Sequence, residues 1–124
     1  MKTLALIFCL TFGMGIVMTA SAADNLQHVV SFKFKSTASP DEVKKVEDGF
    51  KALKVKIPQV IGLQWGTNIS KENHDKGFTH CFIVTFKNEA DRDVYIDHPA
   101  HKAFVKMLQP VLEDALVLDF WPKH

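Results

Sequence analysis

Two stretches of this chain alternate with period two, and each opens with a histidine on its apolar side. His28, Val30, Phe32 and Phe34 fall on one side of the first, with Val29, Ser31, Lys33 and Lys35 on the other. In the second, His80, Phe82, Val84 and Phe86 oppose Thr79, Cys81, Ile83 and Thr85. Successive side chains of a strand point to opposite faces, so each stretch reads as a strand with one face that water disfavours. Such a chain has to build a sheet and lay something apolar across it.

The cover is legible between the strands. Ser39-Pro40-Asp41-Glu42 joins a capping serine, a proline at the first helical position and a glutamate three residues after the cap, which satisfies the free amides that open a helix. Val43, Val46, Phe50 and Leu53 follow at helical spacing, and Pro58 bars continuation. Residues 60–68 predict a second strand, with Ile61, Leu63 and Trp65 on one side and Gly62 and Gly66 permitting close approach. After a polar loop over 70–77 and the His80 strand, Asn88 caps a short helix to Tyr95. Pro99 restarts a helix carrying Phe104, Val105 and Leu108, and residues 115–121 make the last strand. The order is βαββαβ: a four-stranded antiparallel sheet with helices on one face, a ferredoxin-like α+β sandwich. The helices cover the face of His28 and His80. Val29, Thr79, Cys81, Ile83 and Thr85 remain on an open face, which predicts a homodimer through paired sheets.

The first residues read as a leader rather than as fold. Lys2 supplies a positive start, Leu4 to Val17 is apolar, and Ala20-Ser21-Ala22 is a small-x-small cleavage signal. The apolar run is short for a span, which takes about 20 residues. The expectation is a signal peptide at 1–22, a single domain over 23–124, export to the periplasm or the medium, and no membrane attachment after cleavage. Lys and Arg number 15 against 14 Asp and Glu, with no long run of either sign. That balance argues against a nucleic-acid or anionic-membrane partner. Cys81 is the sole cysteine after residue 22, so stability there rests on packing and on a partner subunit rather than on an intrachain disulfide.

Proton-transfer chemistry concentrates in Tyr95-Ile96-Asp97-His98-Pro99-Ala100-His101. Imidazole titrates near pH 6.5 in water, and an apolar pocket disfavours its charged form, so His101 would be neutral and able to take a proton. The Tyr95 phenol could hydrogen-bond a carbonyl oxygen as enolate charge develops. Asp97 or a backbone carbonyl would fix the His101 tautomer. His28 and His80, polar rings on a buried face, need partners or a cavity. Trp65 and Trp121 read as core or rim aromatics.

The pieces His28-Val29-Val30-Ser31-Phe32-Lys33-Phe34-Lys35, Ile57-Pro58, Trp65-Gly66, Gly77-Phe78-Thr79-His80, Val84-Thr85-Phe86, the Tyr95–His101 run and Leu118-Asp119-Phe120 resemble the stress-responsive dimeric α/β-barrel (Dabb) family. The resemblance spans nearly all of 23–124 and implies the same sandwich, dimerised through its sheets into a barrel. It extends to a plant polyketide cyclase of the family that closes a linear polyketide by intramolecular aldol condensation without a cofactor. By that resemblance, carried by His28, His80, Tyr95 and His101, His101 is the general base and Tyr95 binds or polarises substrate; His28, His80, Phe50 and Trp65 are the candidate substrate-binding residues. Phe50 stands where the cyclase carries a pocket tyrosine.

Three readings stay open at this point. One is a non-catalytic ligand-binding or stress-related module, with the histidines in a hydrogen-bonded core network and His98 capping the helix at Pro99; its ligand would be small and apolar or aromatic. The second is the cofactor-free cyclase-like lyase. The third is a divalent-metal site through His98 and His101, spaced H-x-x-H, with His28 or His80. If the leader reading is right, the exported protein begins at Ala23 or within a residue or two of it. Intact mass checks this, and a mature species that retains Lys2 refutes it.

Overall fold

Alternation and capping become elements largely where the sequence puts them. The computed structural model describes residues 24–124 together with Gly13 and Gly15; apart from those two glycines, the expected leader and its cleavage point lie outside the described residues. The elements are β1 (Leu26–Phe34), α1 (Pro40–Lys56), β2 (Gly62–Thr67), β3 (His80–Phe86), α2 (Glu89–Asp97), α3 (Pro99–Leu108) and β4 (Leu112–Phe120). The four strands form one antiparallel sheet in the order β2-β3-β1-β4, with the helices on one face: the ferredoxin-like sandwich. Among the described residues no helix is long and apolar enough to cross a membrane.

Local chemistry sets the element ends. Ser39 Oγ accepts from the Glu42 amide at 3.2 Å, and the Glu42 carboxylate accepts from the Ser39 amide at 3.3 Å, so the box that starts α1 is closed in both directions. Strand β2 is shorter than expected. The amide of Val60 turns back to the carbonyl of Ile57 at 3.1 Å, which leaves regular pairing to begin at Gly62. Strand β4 starts earlier than residue 115, because a register shift between Lys33 and Phe34 lets Phe34 pair with Leu112.

The core forms where α1 and α3 cross the centre of the sheet. Phe50 of α1 stacks on Phe82 of β3 with ring centroids 3.9 Å apart and 10° between planes, and Phe104 of α3 meets Phe50 edge-on at 5.2 Å. Val46, Leu53 and Leu108 are buried around them, while Val43 is only half-buried at the margin. The two helices approach closely at Gly49, where a Cβ would sit 2.7 Å from the Met107 methyl. Any side chain there would have to displace that methyl, the far end of a flexible side chain.

Directly paired residues on neighbouring strands share a face. Since Val29 pairs with Leu118, Ser31 with Leu116 and Gln27 with Phe120, β4 adds three large side chains to the uncovered face that the sequence reading had not assigned there. Leu116, Leu118 and Phe120 are 48%, 57% and 48% exposed. A contiguous apolar face of this kind marks an interaction surface. Leu118→Glu should leave folding of a single chain within about 0.5 kcal/mol of wild type, because the side chain is solvated, yet shift sedimentation from dimer to monomer. An unchanged sedimentation coefficient for a wild-type dimer would place the interface elsewhere.

Candidate functional site

A cavity of about 310 Å³ lies between the β1–β4 half of the sheet and helices α2 and α3. Its wall is mostly hydrocarbon and ring: Val30, Phe32, Phe50, Phe104, Leu108 and Val117. Three proton-carrying side chains interrupt that wall, His28, Tyr95 and His101. The Tyr95 ring lies 5.7 Å from His28 and 4.5 Å from His101, centroid to centroid.

The junction between α2 and α3 creates this grouping. His98 ends α2 and begins α3: its amide bonds the Tyr95 carbonyl at 3.2 Å, and its Nδ1 accepts from the Ala100 amide at 3.0 Å. Proline at position 99 has no amide to lose, so the second helix starts there at no hydrogen-bond cost. A helix end leaves carbonyls without intrahelical partners. The Ile96 carbonyl takes its partner from the next helix, since His101 Nδ1 lies 3.0 Å away. A carbonyl only accepts, so Nδ1 carries the proton and Nε2 is left with a lone pair. Burial lowers the His101 pKa below its ordinary value, the nearby His28 acts in the same direction, and the Ile96 hydrogen bond opposes them. His101 is therefore a neutral base at neutral pH. Burial acts oppositely on Tyr95, pushing its pKa far above the usual phenol range, so the hydroxyl keeps its proton and is able to donate a hydrogen bond.

His28 is held from the strand side. Its Nδ1 lies 2.5 Å from Asp119 Oδ1, and the second oxygen of Asp119 accepts from Arg92 Nη1 at 3.0 Å. Strand pairing sets this up, because His28 faces Asp119 across the β1–β4 ladder. Asp119 and Arg92 are the residues linked to the site that sequence reasoning had not placed there. The signal for Asp119 was its parity with Ala115 and Val117, which puts a carboxylate on the inward side of a strand. For Arg92 it was helical spacing, three residues before Tyr95.

His80 and Trp65 lie elsewhere. They stack nearly parallel, 6.2 Å apart, on the β2–β3 half of the sheet, and neither lines the cavity shared by His28, Phe50, Tyr95 and His101. His80 Nδ1 meets Thr79 Oγ1 at 2.8 Å; its buried Nε2 has no hydrogen-bond partner among the described residues, although Glu47 Oε1 stands 3.5 Å away. Trp65 is 36% exposed, with the Lys51 ammonium 5.6 Å above its ring. Among the described residues no group of three His, Cys, Asp or Glu side chains converges as a metal site would require. The pair considered for metal, His98 and His101, each commit Nδ1 to backbone. A larger depression of about 470 Å³, bordered by Ser31, His74, Cys81 and Leu116, opens on the uncovered sheet face.

Fold and cavity together define a small ferredoxin-like α+β protein with an apolar pocket bordered by two histidines and a tyrosine. The chain belongs to the stress responsive A/B barrel domain (Dabb) family, whose pattern matches residues 26–122. It is 33% identical over 97 residues to the stress-response A/B barrel domain-containing protein HS1 of Arabidopsis thaliana, covering 78% of this chain and 89% of that one. It is also 28% identical over 98 residues to olivetolic acid cyclase of Cannabis sativa, covering 79% and 97%. Among solved structures, the hydroxynitrile lyase of Passiflora edulis superposes with a TM-score of 0.76 at 25% identity, covering 82% of this chain and 95% of that one.

The two histidines of the cavity should differ in what their removal costs. His101 is half-buried and bonds only a carbonyl at a helix end, so His101→Ala should change unfolding free energy by less than about 1 kcal/mol. His28 is 6% exposed and paired, so His28→Ala, which strands one oxygen of Asp119, should cost about 1–3 kcal/mol. Urea denaturation of both variants checks the contrast.

Proposed function

We propose that the cavity binds a small, mostly apolar molecule bearing a carbonyl group and performs cofactor-free proton transfer on it, in the manner of a lyase or cyclase. The observation that carries this reading is the His101 ring. A neutral imidazole with its Nδ1 proton committed to a carbonyl and its Nε2 lone pair free borders an apolar cavity beside a phenol that stays protonated. His101 Nε2 takes a proton from the carbon next to the carbonyl, the electron pair moves onto oxygen, and the Tyr95 hydroxyl donates to that oxygen. The resulting enolate is reprotonated or attacks an electrophile within the same molecule. His28 and Phe50 bound the space in which the substrate folds. Relatives named as a cyclase and a lyase support this chemistry.

A second reading has its own support: relatives named for stress response are 33% and 34% identical to this chain. In it the same cavity binds its ligand without turning it over. In either case two copies pair through the uncovered sheet face, since one four-stranded sheet has two open edges and only a second sheet completes a barrel. Export, with residues 1–22 removed, is part of the proposal and rests on the leader pattern alone.

Loss of deuterium from the α-carbon of a labelled β-diketone in water, followed by NMR, separates the two readings without knowledge of the natural substrate. Catalysis predicts protein-dependent exchange that His101→Ala lowers by about 100-fold or more and Tyr95→Phe by about 100-fold. The base must be unprotonated, and its folded pKa is lowered, so the exchange rate should be flat at neutral pH. It should fall only as pH drops through a midpoint below about 6.5. Binding, seen as shifted His101 resonances, with no exchange above background would leave the binding module. Neither binding nor exchange would refute both readings of the cavity.

A further inference from the structure

A second recess, of about 280 Å³, adjoins the cavity at helix α3. Ile96, His101 and Val105 border both spaces, so the His101 ring belongs to the wall of each. The remaining walls of the recess are Lys102, Lys106 and Gln109, all exposed. Helical geometry explains the division. Residues four apart lie on one face, so His101 and Val105 form one row of α3, and Lys102 and Lys106 form the next, about 100° further round. The cavity takes the first row, and the recess takes both.

The charges of the second row have no local answer. Among the described residues, Lys33, Lys44 and Lys51 each stand beside a carboxylate, at 3.7, 3.0 and 3.2 Å, whereas neither Lys102 nor Lys106 has an acidic partner within 4.0 Å. Asp97, the acidic residue nearest to them in sequence before α3, does not border the recess. Two like charges four residues apart oppose helix formation. Lys102 also lies one turn from the N-terminus of α3, the end at which the helix dipole disfavours a cation, and the first turn holds no acidic residue. Lys106, in the last turn, complements the dipole. Helix stability therefore accounts for one lysine and not for the other.

We propose that Lys102 and Lys106 hold the carboxylate of an oxo acid whose apolar, carbonyl-bearing portion lies in the cavity. The inference rests on the reading of the cavity as a ligand site and names the class of ligand. A carboxylate set against the hydrocarbon wall would lose its hydration without return. Placed in the recess, it keeps contact with water and gains charge-assisted bonds from two ammonium groups, while relieving the repulsion between them. The lysine row thus sets the direction of the ligand: charged end outside, chain running inward past the His101 ring and beside Tyr95.

The probes are β-benzoylpropionate, an aryl oxo acid, and its neutral methyl ester. Their dissociation constants are read from the His101 ring resonances by NMR titration of the full chain at neutral pH and low salt, with thermal melts to confirm folding. The acid should bind about 5- to 10-fold more tightly than the ester, and the preference should shrink as salt rises. With Lys102→Gln and Lys106→Gln together, acid and ester should bind alike; with Lys102→Glu and Lys106→Glu the ester should be favoured. The pair Lys102→Arg and Lys106→Arg should keep the preference for the acid. Should the double Gln variant fail to fold, Lys102→Gln alone should lower the preference by about 2- to 3-fold. Equal binding by the wild type, or a preference that survives the loss of both charges, overturns the proposal, and a His101 shift induced by the ester then leaves the cavity reading standing. Acid binding that moves the lysine signals but not those of His101 also overturns it, as pairing at the surface alone. If neither probe moves the His101 resonances, the cavity reading fails and the proposal with it.

Discussion

Strand β1 sits at the centre of the sheet, and its register fixes nearly everything else. Paired to β3 on one side and β4 on the other, it carries Leu26, His28, Val30 and Phe32 to the helices and Val29 and Ser31 to the open face. A slip of one residue would exchange those faces entirely. The same register sets His28 opposite Asp119. A histidine that is 6% exposed is tolerable only with such a partner, since an unpaired polar ring there would lose its water for nothing. Packing and chemistry therefore share one constraint: the apolar residues of β1 hold the register, and the register supplies the carboxylate.

The helix side of the cavity depends on an interruption. Had α2 continued through His98, the backbone donors and acceptors at the junction would have paired within one helix, and the Ile96 carbonyl would have been consumed. The break at His98-Pro99 frees that carbonyl for His101 and brings the His101 ring against Tyr95. Low polarity around the two rings then separates their roles. Desolvation penalises a charged imidazole and a charged phenolate alike, so it lowers the pKa of one group and raises that of the other, giving a neutral acceptor next to a neutral donor. The strand side works differently, because His28 meets a side-chain carboxylate rather than a backbone carbonyl.

The uncovered face is the counterpart of this one-sided arrangement. With all helices on one side, the apolar residues of β4 and β3 that face away from them have no intrachain cover, and stability for a domain of this size benefits from covering them with a second copy. That face and the cavity lie on opposite sides of the same strands, so β4 turns Asp119 and Val117 to the cavity side and Leu116 and Leu118 to the other.

Periodicity alone determined the element order, the inward faces of β1 and β3, the capping of α1 and α3, and the sandwich, because a side chain's face and a helix's first turn are set by neighbours within a few residues. The pattern also put Tyr95 and His101 six residues apart across a proline, but the meeting of their rings is seen only in the structure. Tertiary structure decided which distant groups meet. His28 and His80 look equivalent in sequence, each heading an alternating strand, yet one lies on the β1–β4 side with Asp119 and Arg92 and the other on the β2–β3 side with Trp65 and Glu47. Strand order makes that difference, and strand order is a matter of long-range pairing that no local window contains. The same holds for Asp119, given no site role in sequence, which becomes the partner of His28 only because β4 returns antiparallel beside β1.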